Sequence, residues 1–327
     1  LSFSLRCGIL IYIVSKEGMS LRFLYFLESI RNPVLDAIMQ FFTELGGEAV
    51  FMVVALAVFW CVSKDEGYYL LFVGFLGTIL NQFLKLVFRI ARPWVLDPKF
   101  TIVESARADA TGYSFPSGHT QNVVGTLGGL ARWNKQKWLR IACIATLLLT
   151  SFSRMYLGVH TPLDVGVSFV IAAVLVFGLY PIVRRCAAAP KKMYLLLAVM
   201  TAIATAFMLY ANLTEFRVAD EQLVNIVEGR KNSFSLLGAL LGFCLGYTLE
   251  RKYVKFDTKA VWWAQCFKVA LGLVAVMAVK EGLKLGFSAL GVTGLWTNAV
   301  RYFFVVVVAA VVWPLSFPWF ARMGKNA

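Results

Sequence analysis

Charged residues are scarce in this chain. They make up 15% of its residues, whereas hydrophobic residues make up 59%. This balance fits neither an ordinary soluble domain, in which about a quarter of the residues are charged, nor a disordered chain. Several apolar stretches reach the roughly 20 residues that a helix needs to cross a bilayer. We therefore expect a membrane protein whose main partner is the lipid bilayer.

Cysteines with the spacing of a metal site are missing as well. The six cysteines contain no CxxC pair, so neither a metal centre nor a disulfide framework is expected; they are Cys7, Cys61, Cys143, Cys186, Cys244 and Cys266. Lysine and arginine exceed the acidic residues by 32 to 18. Such an excess can indicate nucleic-acid binding, but in a chain of apolar spans it is typical of cytoplasmic loops. We predict no nucleic-acid partner.

The apolar stretches predict an all-α, polytopic membrane helix bundle. Residues 21–44 carry charges too often for a span, so an amphipathic helix lying at the interface is predicted there. Nine predicted spans follow, at 47–63, 68–91, 119–132, 139–158, 163–183, 193–211, 233–250, 260–283 and 300–320. This pattern divides the chain into a lead with the interfacial helix (1–44), a core (45–189) that also carries the motifs described below, and a transmembrane extension (190–327). Residues 1–18 carry no functional prediction.

Lysine and arginine in the short loops predict the orientation. Loops 132–140 and 184–192 contain four basic residues each and no acidic one, and loop 251–259 is similarly basic. Such loops are typically cytoplasmic. The loop at 212–231 is richer in acidic residues and suits the outer side. The same alternation places loop 92–118 and the turn at 158–163 on the extracytoplasmic face of a cell membrane.

Both histidines of the chain stand in short motifs at the predicted span ends on that outer face. The motifs are Lys85-x6-Arg92-Pro93, Pro116-Ser117-Gly118-His119 and Ser153-Arg154-x5-His160-x3-Asp164. Chance does not usually place three such motifs at one membrane depth. A chain this apolar has little reason to keep histidine in its spans unless the imidazole has a chemical role. The motifs therefore predict one site.

The residue types in these motifs suit a phosphate group. Arg92 and Arg154 offer planar donors for bidentate phosphate contacts, and Lys85 adds a point charge. Ser117 and the amide of Gly118 can donate at what is predicted to be a helix N-terminus, where an anion is favoured. These five residues are the predicted phosphate-binding set.

Phosphoryl transfer also needs a nucleophile and an acid. His160 and Asp164 are four residues apart and share a helix face if the helix begins near His160. Asp164 could then accept the proton on one imidazole nitrogen and leave the other nitrogen free to attack phosphorus. His119 is left as the general acid for the leaving oxygen.

Together the three motifs resemble the complete signature of the type 2 phosphatidic acid phosphatase superfamily, over about residues 68–185. The resemblance implies that His160 forms a phosphohistidine, that Asp164 orients it and that His119 protonates the leaving group. It implies that Lys85, Arg92, Ser117, Gly118 and Arg154 bind the phosphoryl group, without a metal or another cofactor. The implied substrate is a lipid phosphate or pyrophosphate, such as undecaprenyl pyrophosphate, phosphatidic acid, phosphatidylglycerol phosphate or a sphingoid-base phosphate.

Several alternatives remain open at this point. The substrate could be a soluble phosphomonoester, as for glucose-6-phosphatase, or the phosphoryl group could pass to another lipid. A protein of a different class would bind or transport lipid phosphates without catalysis. The run Gly238-x3-Gly242-x3-Gly246 predicts close helix packing within the monomer, with formation of a homo-oligomer as the alternative.

Overall fold

A computed structural model describes residues 21–323, which form a bundle of helices without a strand. The predicted lead at residues 1–18 lies outside the described residues. The helices are α1 (21–29), α2 (Pro33–Glu44), α3 (Glu48–Cys61), α4 (Lys64–Phe88), α5 (Pro93–Leu96), α6 (Gly118–Trp133), α7 (Lys137–Tyr156), α8 (Pro162–Ala187), α9 (Pro190–Leu213), α10 (Leu223–Leu249), α11 (Trp262–Ala289), α12 (Thr297–Val307) and α13 (Phe317–Arg322).

Seven helical stretches within residues 21–323 are long and apolar enough to cross a bilayer; they are Lys64–Leu96, Lys137–Tyr156, Pro162–Ala187, Pro190–Leu213, Asp220–Val254, Trp262–Ala289 and Thr297–Arg322. Helices α2 and α3, which meet at a bend of 46°, add an eighth if they count as one span. The multi-pass all-α fold is confirmed. The predicted count of nine is too high, because α3 has only 14 residues and α6 only 16.

The single interfacial helix predicted over 21–44 is wrong, because the structure divides it at residues 30–32. The Asn32 side chain accepts a hydrogen bond from the Leu35 amide at 3.0 Å, and Pro33 is the first residue of α2. An asparagine cap followed by proline starts a new helix. Helix α2 packs along α7, where Thr150 Oγ1 donates to the Phe42 carbonyl at 2.9 Å.

Helix α10 begins well before its predicted start at residue 233. It runs from Leu223, so residues 223–231 at the end of the predicted outer loop are helical. In the linear sequence, its polar residues Asn225, Glu228 and Asn232 are typical of a loop. Their spacing of three and four residues places them on one face of a helix instead.

The glycine run of α10 faces α12 within the same chain. A Cβ on Gly238 or Gly242 would collide with the α12 backbone, and a Cβ on Gly246 would lie 2.8 Å from the Ala310 Cβ. The predicted close packing within the monomer is thus present. Homo-oligomer formation stays a prediction.

Antiparallel neighbours bring the three motifs to one end of the bundle. There α4 and α7 end, and α6 and α8 begin. The basic loops meet at the other end, where Lys64 pairs with Glu250 at 2.5 Å and Arg132 lies 4.5 Å from the Tyr180 ring. The helix directions alone therefore separate the motifs from most of the basic loop residues.

Candidate active site

A cavity of about 510 Å³ opens at the motif end of the bundle. Five of the predicted site residues line it, namely Lys85, Arg92, Gly118, His119 and His160. The other three, Ser117, Arg154 and Asp164, are buried directly behind these residues. Motifs that are far apart in the sequence thus converge on one volume. We call Lys85, Arg92 and His160 the cationic wall of the cavity.

The two cations of this wall are buried and hydrogen-bonded to backbone. The Arg92 guanidinium donates to three carbonyls, at 2.7 to 3.2 Å, those of Thr111, Gly112 and Val159. Lys85 Nζ donates to the Tyr113 carbonyl at 2.6 Å. Neutral carbonyls orient these groups without cancelling their charge. Both cations therefore fix the loop before α6 and keep a net positive charge for an anion.

His160 lies between Arg92 and Asp164. Its Nε2 is 2.9 Å from Arg92 Nη1, and its Nδ1 is 3.5 Å from Asp164 Oδ2. Because arginine has only donors, Nε2 must be the acceptor and Nδ1 must carry the proton. Burial and then the positive charge of Arg92 hold the pKa of His160 well below its usual value. The imidazole is therefore neutral, with its lone pair on the side of the cavity.

Asp164 has a second task at the start of α8. Its carboxylate accepts hydrogen bonds from Ser114 Oγ at 2.6 Å and from the Thr161 amide at 2.7 Å. Thr161 is the N-cap and accepts from the Asp164 amide, which completes a capping box. Helix α8 begins at Pro162, so His160 stands just before it. The capped turn, rather than one helical face, brings His160 next to the carboxylate.

The Pro116–His119 motif forms the N-terminus of α6. Ser117 is the N-cap and its side chain accepts from the Thr120 amide, while Asn81 Nδ2 donates to the Pro116 carbonyl at 3.2 Å. A Cβ on Gly118 would meet only Asn81 Oδ1, at 3.9 Å. Packing within the protein therefore does not require glycine here. Its missing side chain keeps the helix N-terminus open to an anion in the cavity.

His119 lines the cavity from the first turn of α6, which is not one of the seven spanning stretches. Gly46, in the bend between α2 and α3, packs against it, and a Cβ there would lie 3.1 Å from the His119 Cβ. Burial lowers the pKa of His119, followed by the charges of Arg154, Arg92 and Lys85. A bound anion would oppose these charges and raise that pKa.

Arg154 is fully buried and does not line the cavity. Its Nη1 donates to Thr43 Oγ1 at 2.5 Å, whereas Nε and Nη2 have no hydrogen-bond partner among residues 21–323. Buried donors of this kind are costly to leave unpaired. The last turn of α2 thus supplies one anchor for a predicted phosphate-binding residue.

Sequence reasoning missed three buried residues that position the motifs, namely Thr43, Asn81 and Ser114. Asn81 had a signal, since it lies four residues before Lys85 on the same face of an apolar helix. Ser114 had a weaker one, as a lone polar residue in an aromatic run. Thr43 had none, because its role depends on a contact with a residue more than a hundred positions away.

Another missed group comes from the predicted extension. Asn225, Glu228 and Asn232 of α10 line the same cavity as the motif residues, and we call them the α10 wall. Their helical spacing was the available signal. It was overlooked because residues 212–231 were predicted to be a loop.

Comparison with known families covers most of this architecture. The PAP2 superfamily matches residues 66–188, which contain all three motifs. The family described as PAP2 superfamily phosphatase, transmembrane extension, matches residues 234–325. The first match spans α4 to α8, and the second spans most of α10 and the helices after it. The two walls of the cavity are therefore contributed by different segments, and the α10 wall lies just before the second match.

Curated relatives include two diphosphatases and a phosphatidylglycerophosphatase. Undecaprenyl-diphosphatase BcrC of Bacillus subtilis is 34% identical over 46% of this chain and 75% of its own length. An undecaprenyl-diphosphatase of Sulfolobus acidocaldarius is 32% identical over 40% of this chain and 62% of its own length. Phosphatidylglycerophosphatase B of Bacillus subtilis is 29% identical over 45% and 75%. No solved structure gives a significant match. The chain belongs to the PAP2 superfamily and is a multi-pass membrane phosphatase.

Proposed function

We propose that this protein removes the terminal phosphate of a membrane lipid phosphate or diphosphate through a phosphohistidine on His160. The observation that carries the proposal is the placement of His160, with Nε2 towards Arg92 and the cavity and Nδ1 towards Asp164. The names of the relatives support a lipid substrate. Candidate substrates are undecaprenyl diphosphate, phosphatidylglycerol phosphate, phosphatidic acid and a sphingoid-base phosphate.

Substrate binding would free the nucleophile. Without substrate, Arg92 donates a hydrogen bond to the lone pair of His160 Nε2. Phosphate oxygens are charged and compete well for a guanidinium. When Arg92 turns its donors to the phosphate, the lone pair of Nε2 is released beside the phosphorus atom. Arg92 thereby couples binding of the anion to the availability of the nucleophile.

In the first chemical step, His160 Nε2 forms a bond to phosphorus while the bond from phosphorus to the leaving oxygen breaks. His119 gives its proton to that oxygen. The proton on His160 Nδ1 stays near Asp164, whose carboxylate stabilises the positive charge of the phosphorylated ring. Lys85, Arg92, Arg154 and the N-terminus of α6 offset the negative charge on the phosphoryl oxygens.

In the second step, water attacks the phosphohistidine. The water oxygen bonds to phosphorus, its proton goes to His119, and the bond between phosphorus and nitrogen breaks. Inorganic phosphate leaves, and both histidines return to their starting protonation states. Every charge in this route is balanced by side chains or by a helix N-terminus, so the proposed route uses no metal.

The site is proposed to face the extracytoplasmic side. Two points support this side. The motif end is opposite the end where Lys64 pairs with Glu250 and Arg132 lies over the Tyr180 ring, and the basic loops at that end are of the type retained in the cytoplasm. A lipid can then keep its tails in the bilayer while its head enters the cavity. Because the helices alternate in direction, all three motifs lie on the same side of the membrane.

The test is phosphate release by purified protein in detergent with EDTA, across lipid phosphates, lipid diphosphates and sugar phosphates. We expect release from a lipid class, and a loss of roughly 10⁴-fold or more in His160→Ala, as when the nucleophile of a catalytic unit is removed. His160→Gln, which keeps a hydrogen-bonding group of similar size, should be equally inactive.

A covalent intermediate provides a second readout. Rapid quenching in alkali should trap a labelled phosphohistidine in the wild type and not in His160→Gln. Full activity of either His160 variant would disprove the mechanism. Release only after a metal is added back would disprove the metal-free route, and a preference for sugar phosphates would assign a soluble substrate.

Sidedness is tested separately with a membrane-impermeant thiol reagent on intact cells. In a background without native cysteines, Lys99→Cys should be labelled from outside, while Lys135→Cys should react only after the membrane is opened. Both positions are exposed and lie at opposite ends of the bundle. The reverse pattern would place the site in the cytoplasm.

A further inference from the structure

The α10 wall is a polar face held close to the phosphate-binding residues. Gly229, next to Glu228, sits against α4, and a Cβ there would lie 2.7 Å from Leu86 Cδ2. Leu86 directly follows Lys85, so this contact sets how closely α10 approaches the cationic wall. A larger residue than glycine would require a shift at this contact.

One hydrogen bond holds the α10 wall at each of its ends. Asn232 Nδ2 donates to Gln82 Oε1 of α4 at 3.2 Å. Just before α10, Gln222 Oε1 accepts from the Tyr113 hydroxyl at 3.4 Å. Tyr113 also provides the carbonyl that holds Lys85. The α10 wall is therefore connected through Gln82 and Tyr113 to the segments that hold Lys85.

The α10 wall carries the carboxylate of Glu228, whereas a second phosphate would need positive charge beside it. Glu228 makes no hydrogen bond or ion pair within residues 21–323, and its negative charge acts on Lys85 and Arg92. Glu44, Glu48 and Asp109 also line the cavity. Like charges brought together in an interface are strongly disfavoured. A phosphate bound at the cationic wall therefore leaves its non-phosphate neighbour facing carboxylates and amides.

Groups that donate hydrogen bonds are suited to these carboxylates and amides. A carboxylate only accepts, and the amides of Asn225 and Asn232 both accept and donate. Hydroxyl and ammonium groups can donate to Glu228, whereas a second phosphate at neutral pH mainly accepts. An acyl ester or an isoprenoid carbon next to the phosphate offers no donor at all.

We propose that Asn225, Glu228 and Asn232 form a subsite for a hydrogen-bond-donating group, a hydroxyl or an ammonium, close to the scissile phosphate. The proposal rests on the proposed function and narrows its substrate class. The enzyme prefers a phosphomonoester whose headgroup bears such a donor, as in phosphatidylglycerol phosphate or a sphingoid-base phosphate. Phosphatidic acid and isoprenoid diphosphates are the poorer substrates.

The kinetic test compares kcat/KM for phosphatidylglycerol phosphate, a sphingoid-base phosphate, phosphatidic acid and undecaprenyl diphosphate. We expect the wild type to favour the two donor-bearing lipids. Glu228→Gln should reduce that preference by about tenfold, the size expected for a hydrogen bond to a charged group, and should improve the diphosphate relative to the others. Glu215→Gln, an exposed acidic residue away from the cavity, is the matched control and should change nothing.

A binding test separates this proposal from the proposed function, because it needs no turnover. In the His160→Ala protein, titration with methyl phosphate, glycerol phosphate and ethanolamine phosphate compares no donor, hydroxyl donors and an ammonium donor. We expect the last two to bind more tightly, and Glu228→Gln to remove the difference, most strongly for ethanolamine phosphate. Equal binding of all three, or a difference that survives Glu228→Gln, would overturn the subsite even if hydrolysis is confirmed.

Discussion

The cationic wall and the α10 wall face one cavity but are built in different ways. Lys85, Arg92 and His160 are almost fully buried, at 8%, 5% and 1% exposure. Backbone carbonyls hold the two cations, and Arg92 donates to His160 Nε2. Glu228 is only partly buried and has no partner among the described residues. The first wall is a rigid, positively charged cradle, and the second is a more open surface of acceptors and amides.

This difference separates two functions that phosphatases must combine. A rigid cationic cradle stabilises the charge that every phosphoryl transfer develops, whatever the leaving group is. A less constrained wall next to it can distinguish headgroups without altering the chemical step. Changes in the cationic wall should therefore alter the rate on all substrates, and changes in the α10 wall should alter the ratio between substrates.

Among the tests of the difference between the two walls, substitution of the arginines is expected to lower kcat/KM the most. Arg92→Lys and Arg154→Lys keep the charge but lose the planar fork, and we expect kcat/KM to fall by roughly 10²- to 10³-fold on every substrate. The measurement is phosphate release across the lipid panel, with thermal stability in detergent as the control for folding. A loss confined to one substrate class would show that the cationic wall also selects headgroups.

The next largest effect is expected from pH. On either limb of the pH profile the rate should change by about tenfold for each pH unit. His160 must be neutral, and its lowered pKa keeps it neutral until the pH falls well below the usual histidine range. His119 must be protonated, and its lowered pKa in the free protein must rise when the phosphate anion binds. We expect a bell-shaped kcat profile whose alkaline limb reports His119 in the complex.

The two kinetic parameters distinguish these states, since kcat/KM reports the free enzyme and kcat the complex. The limbs of kcat should lie at higher pH than those of kcat/KM, because the bound anion raises both histidine pKa values. Identical limbs in both profiles would contradict this coupling. Glu228→Gln should leave the general shape of both profiles unchanged.

The smallest effect is expected from the contact that positions the α10 wall. Gly229→Ala would bring a Cβ to 2.7 Å from Leu86 Cδ2, so Leu86 or α10 must shift. The preference for donor-bearing lipids should therefore fall by roughly two- to fivefold, within the range of a weakened hydrogen bond. Gly282→Ala on α11, which has open space for a Cβ, is the matched control. A uniform loss of rate on all lipids would instead assign Gly229 to the stability of the core.

Hydropathy correctly predicted the multi-pass bundle. The residues of the three motifs line the cavity or are buried behind its lining, and their roles in the reaction stay predictions. Prediction from sequence failed where local charge conflicted with tertiary context. Glu228, Arg230 and Lys231 resembled a loop, yet they belong to α10, which lines the cavity with Asn225, Glu228 and Asn232.

Two further errors have the same kind of cause. The division of 21–44 followed from Asn32 and Pro33, a local signal that was outweighed by the amphipathic pattern across it. The bounds predicted at 119–132 nearly match α6, but its assignment as a span was wrong, because a helix of 16 residues is shorter than a bilayer crossing needs. In both cases the apolar pattern was present, but it did not specify how the helix is placed relative to the membrane.

The sequence by itself determined that this is a multi-pass membrane protein and which side chains are available for phosphate chemistry, because apolar stretches of span length and three short motifs are local features of the chain. Only the tertiary structure decided how those side chains are held and what stands opposite them. Thr43, Asn81 and Ser114 act through contacts between distant segments, and the α10 wall reaches the cavity because Gly229 allows close approach to α4. Such pairings depend on packing between helices, which no local pattern of residues encodes.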